Sequence, residues 1–165
     1  SSFGIGTYYP GAFQASFQTK SSTVAQATQI VLEEIDRIRS TKVTAEELET
    51  VKNYAIEVFP RAFSSAAVVA ALFASDELTG RDPKYWKTYR DRVRAVTVED
   101  VQRVAQKYLM PDKLVILAVG NIDDMLKGDP DKPQYSIDKI PGGKAIVRIP
   151  LPDPETMEYP SGTRR

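Results

Sequence analysis

The sequence predicts an α+β fold, a mainly antiparallel sheet covered on one side by helices. Three observations predict it. Phe13, Ala15, Phe17 and Thr19 alternate with Gln14, Ser16 and Gln18, the period of a half-buried strand. Several later segments repeat apolar residues every three or four positions, the period of an amphipathic helix. Leu114-Val115-Ile116-Leu117-Ala118-Val119 is one unbroken apolar run. It is short and rich in β-branched residues, and so reads as a strand buried on both faces.

The elements follow in order. Residues 3–19 read as a hairpin around Tyr9-Pro10-Gly11-Ala12, because Pro10 sets φ and Gly11 accepts a positive one. With an even-numbered loop, Phe13 and Phe17 would cover Gly4 and Gly6. Val24, Ala27, Val31, Ile35 and Ile38 make residues 22–39 a helix. Thr44 and Glu47 have capping-box spacing, and Val43 with Leu48 has that of a hydrophobic staple, so a second helix starts there. Pro60 stops or kinks it. The pattern resumes through an Ala-rich run at 66–74, whose small side chains predict a deep position, and Gly80 ends it. Asp82-Pro83 opens the next helix, with Trp86, Tyr89, Val93 and Val96 on its buried side. Thr97 caps a helix over 98–109. The chain therefore divides into an α/β domain over 1–127 and a Pro-rich strap or tail over 128–165, in which Ala145-Ile146-Val147-Arg148-Ile149 reads as a short edge strand.

Composition restricts function. Lys and Arg total 22, and so do Asp and Glu. A net charge of zero argues against nucleic acid as the main partner, since phosphate binding needs surplus cations. No apolar run approaches the ~20 residues of a membrane span. The 165 residues include no Cys and no His. Ser–His and Cys–His dyads and imidazole metal ligands are thereby excluded, and a carboxylate-only site stays formally open. The opening Ser-Ser-Phe-Gly, with neither Met nor leader, reads as an internal start.

Five features bear on chemistry. Arg81, Lys84, Lys87, Arg90, Arg92 and Arg94 crowd one stretch. They read as an anion-binding or partner-docking face, or as a solvated helix face. Glu33-Glu34, Glu46-Glu47 and Glu99-Asp100 are neighbours pointing about 100° apart on a helix, so they do not converge for acid–base work. Gly4 and Gly6 lack the rest of a phosphate loop. Asp123, Asp124, Asp129 and Asp131 lack calcium-loop spacing. On the hairpin, Tyr8, Gln14, Ser16 and Gln18 offer polar side chains to an extended peptide, or simply form a solvated face.

The order of elements carries a resemblance. Residues 96–121, from Val96-Thr97-Val98-Glu99-Asp100-Val101 to Val119-Gly120-Asn121, resemble the pitrilysin/insulinase-type zinc metallopeptidases. So does Thr44-Ala45-Glu46-Glu47-Leu48 leading to Lys52. The likeness covers about residues 3–121 and is to the C-terminal, non-catalytic half. Such enzymes close two related α/β halves around a chamber, and one half carries the zinc motif H-x-x-E-H. A chain without His cannot carry that motif. The family's substrate-binding Arg and Tyr lie upstream of the position matching Ser1. The resemblance thus implies a chamber-forming, peptide-binding part of a zinc metalloendopeptidase, with zinc in a catalytic partner half and no activity from this chain alone. It leans towards a bacterial periplasmic or envelope location. The alternative is a peptide-binding or structural subunit without any peptidase activity.

Overall fold

The computed structural model describes residues 1–4, 11–140 and 145–160. Two compact units emerge: Ser1–Gln18 with Ile30–Ile116, and Thr19–Gln29 with Leu117–Arg165.

The first unit opens with β1 (Ser2–Phe3) and β2 (Phe13–Gln14), an antiparallel pair in which Phe3 faces Phe13 and Ser2 faces Gln14. The two rings lie 5.0 Å apart. This register sets Phe13 across from Phe3, and the Gly4 amide bonds to Ala12 O at 2.8 Å. The glycine is therefore not roofed by Phe13 as the even-loop expectation had it. Tyr8, Tyr9, Pro10 and Gly6 lie outside the described residues.

Helix α1 (Val24–Ser40) follows a short 3-10 turn, Ser21–Thr23. Its apolar stripe produces the core of the first unit, where Ile35 is buried with Ala105 and Leu109, and Phe13, Val31, Ile38 and Leu114 pack around them. Helix α2 (Ala45–Val58) starts at the expected capping box. The Glu47 amide bonds to Thr44 Oγ1 at 3.1 Å, and the Thr44 amide bonds back to Glu47 Oε2 at 2.8 Å. At Pro60 the helix tightens into a 3-10 turn, Phe59–Phe63.

Helix α3 (Ala66–Thr79) ends at Gly80, whose φ of 63° is left-handed and favours glycine. α3 packs against the Phe59–Phe63 turn. The Ala-rich stretch was expected to sit deep, yet Val68, Phe73 and Leu78 are exposed. Helix α4 (Tyr85–Ala95) begins after a turn in which Asp82 Oδ1 accepts from the Lys84 amide at 2.8 Å. Pro83 thus lies in that turn rather than at the first helical position. Helix α5 (Val98–Tyr108) has its own capping box of Thr97 and Asp100. Gln106 Nε2 donates to Arg39 O at 2.9 Å, closing a free carbonyl near the end of α1.

The predicted sheet is overturned. Among the described residues the only ladder is β1–β2, and helices dominate the chain. Residues 114–119 form no strand. Val115 is 91%, Leu117 78% and Val119 82% exposed. A strand needs a neighbour to take its N–H and C=O groups, and no described segment forms a ladder with this one. An apolar run records that a segment suits burial, not that its partner is present. The edge strand expected at 145–149 is likewise irregular, with Val147 and Ile149 exposed.

In the second unit, α6 (Ile122–Lys127) packs against the Ser21–Thr23 turn. Asn121 caps it, its Oδ1 accepting from the Asp123 and Asp124 amides at 3.1 and 3.3 Å. Met125 is buried and Gly128 closes the helix at φ 69°. The Pro-rich remainder holds only the 3-10 turn Ile137–Lys139 among its described residues.

Candidate functional site

The candidate peptide-contacting residues lie on the hairpin and the stretch after it. Gln14 occupies β2 opposite Ser2, and its side chain is exposed while its neighbour Phe13 turns into the core. Ser16 and Gln18 are exposed on irregular chain beyond β2. Phe17, expected under the sheet, is 45% exposed. The structure sets Gln14, Ser16 and Gln18 along one accessible stretch. Tyr8 falls outside the described residues.

The basic stretch at 81–94 is organised by aromatic rings. Phe59 stacks on Tyr89 at 4.8 Å, and Phe63 meets Trp86 edge-on at 5.7 Å. The arginines lie on these rings: Arg81 over Tyr85 at 4.6 Å, Arg90 over Phe59 at 5.1 Å and Arg92 over Tyr85 at 4.1 Å. A guanidinium over a ring face is held by the ring quadrupole. The stretch is therefore neither a plain solvated face nor a bare anion site. Lys84 and Lys87 alone stand clear as exposed ammonium groups. Arg94 pairs with Asp91 at 2.9 Å.

Sequence reasoning missed the centre of this arrangement. Asp76 is 8% exposed. Its Oδ2 accepts from Trp86 Nε1 at 2.5 Å, and its Oδ1 faces Arg81 Nε at 3.2 Å. An acid at the end of an otherwise apolar helix, five positions before an Arg, was the available signal.

Two exposed carboxylates, Glu47 and Asp100, act as caps. Hydrogen bonds from the Thr44 amide and hydroxyl hold Glu47 below the ordinary carboxylate range. Arg103, then the Thr97 amide, do the same for Asp100. Lys42, 2.8 Å away, lowers Glu99. A stabilised anion in a cap is a poor proton acceptor, so none of these is set up as a general base.

The sequence has no His and no Cys. Among the described residues no three Asp or Glu converge on a point where an ion could sit. Nor is any single described helix long and apolar enough to cross a membrane.

Comparison with known proteins adds one finding. The family model of the peptidase M16 inactive domain matches residues 1–54. The match takes in the hairpin, α1 and the Thr44 capping motif, and not the stretch at 96–121. No curated protein and no solved structure matches the chain. Residues 1–54 are thus similar to the peptidase M16 inactive domain.

Proposed function

We propose that this chain is a non-catalytic, chamber-forming part of a zinc metallopeptidase and that it binds peptide substrate along its hairpin. The observation that carries the reading is the inactive-domain match at 1–54 in a chain whose sequence has no histidine. Zinc and its activated water belong to a partner half bearing H-x-x-E-H, whose Glu is the base. This chain supplies wall and substrate contacts. Tyr8, Gln14, Ser16 and Gln18 all fall in the matched segment. Amide and hydroxyl side chains suit an extended peptide of varied sequence, because they can donate to or accept from its backbone without demanding one charge.

The test uses the complete enzyme. Gln14→Lys, Ser16→Lys and Gln18→Lys place three cations along the proposed path. Cleavage preference should shift towards acidic peptides, with stability changed by less than about 0.5 kcal/mol because the positions are exposed. An unaltered preference would remove the hairpin from the substrate path.

A further inference from the structure

Helix α4 has two unlike faces. Trp86 and Tyr89 pack on Phe59 and Phe63. Lys84, the residue capping the helix, then Lys87, Arg90 and Arg94 follow at spacings of three, three and four. That spacing lines them along one side, and all four are exposed. Arg94 is neutralised by Asp91 at 2.9 Å. Among the described residues Lys84, Lys87 and Arg90 pair with no carboxylate. Three like charges thus stand within about 9 Å along the helix axis. Residues 81–94 hold six cations against Asp82 and Asp91, in a chain whose net charge is zero. The positive charge is therefore segregated on this helix. Arg90 is also held in place, its guanidinium 5.1 Å from the Phe59 ring centre and Phe59 itself stacked on Tyr89. A guanidinium seated on a ring has less freedom to lose when it pairs.

We infer that this stripe docks an acidic segment of a protein partner, whose carboxylates pair with Lys84, Lys87 and Arg90. Carboxylates answer the uncompensated charge through charge-assisted hydrogen bonds, and complementary charge steers the encounter. Two other anionic surfaces fit less well. A single nucleic-acid strand needs open rings on which its bases stack. Here Phe59 and Tyr89 stack on each other, and Tyr85 lies under Arg81 and Arg92. A membrane-surface helix needs exposed apolar residues to enter the bilayer boundary, whereas Tyr85, Trp86, Tyr89 and Val93 of α4 are half-buried. The inference uses none of the hairpin residues and stands whether or not they contact substrate.

Fluorescence anisotropy of the chain with labelled hexa-glutamate and hexa-glutamine, at about 20 mM salt, tests this. The glutamate peptide should bind about tenfold tighter, and the difference should vanish at about 300 mM salt, where exposed charges are screened. Lys84→Glu combined with Lys87→Glu should remove the preference. Lys113→Glu combined with Lys139→Glu changes the net charge equally at exposed positions off the stripe, and should keep it. Far-UV circular dichroism identifies the variants that stay helical, and Lys84→Gln with Lys87→Gln replaces the charge reversal should that unfold α4. Equal binding of the two peptides by the unmodified chain would overturn the inference. So would an equal loss in the stripe and off-stripe variants, or binding of oligothymidine or phosphatidylglycerol vesicles with hexa-glutamate unbound.

Discussion

Asp76 shows what one residue contributes. A carboxylate drawn out of water is costly unless its oxygens are engaged. Here Trp86 and Arg81 engage them, and Arg81 in turn lies over Tyr85 and Trp86. Asp76→Ala leaves an indole N–H without its acceptor and a guanidinium without its ion-pair partner. It should cost about 1–3 kcal/mol in urea denaturation, more than Asp91→Ala, whose carboxylate is a solvated surface partner. The caps make a second claim at this scale. Glu47 and Asp100 are lowered in the folded chain. Their contribution is therefore complete above the unfolded carboxylate values of about 4 and disappears as pH falls through the lower folded ones. The urea midpoint should decline from pH 5 to pH 3, and Asp100→Asn should make that decline shallower. Equal slopes for the two proteins would dismiss the cap as a source of acid sensitivity.

At the scale of elements, the features legible in the sequence were local. Thr44 with Glu47, Thr97, Pro60 and Gly80 each mark a helix end through bonds or steric limits within a few residues, and each boundary stands where its signal stood. Helix α6 could have been read the same way from Asn121, two acids in the first turn and Gly128. Sheet structure was not legible, because a ladder is a relation between distant segments. Residues 114–119 have strand chemistry and no ladder partner among the described residues. The cost of substitution there discriminates sharply. With Leu117 78% exposed, Leu117→Lys should change stability by less than about 0.5 kcal/mol. A loss of several kcal/mol, as for a sheet-centre leucine, would restore the buried strand. The candidate site was partly legible. The exposure of Gln14, Ser16 and Gln18 followed from their polarity. The stacking of Phe59 on Tyr89 did not, since it joins residues of two elements and no spacing in the chain records their meeting.

The whole molecule combines an inactive-domain signature at 1–54 with a chain that has no imidazole or thiol and carries zero net charge. Under the proposed function, its chemical contribution to proteolysis is enclosure and recognition, while bond breaking takes place on another half. This division makes opposite demands on two samples of one assay. The direct measurement is turnover of a casein-like substrate with added zinc, by the chain alone and by the chain mixed with an H-x-x-E-H half. The account predicts no hydrolysis above blank from the chain alone, and faster hydrolysis from the mixture than from the catalytic half by itself. Turnover by the isolated chain, or a catalytic half indifferent to its addition, would contradict it.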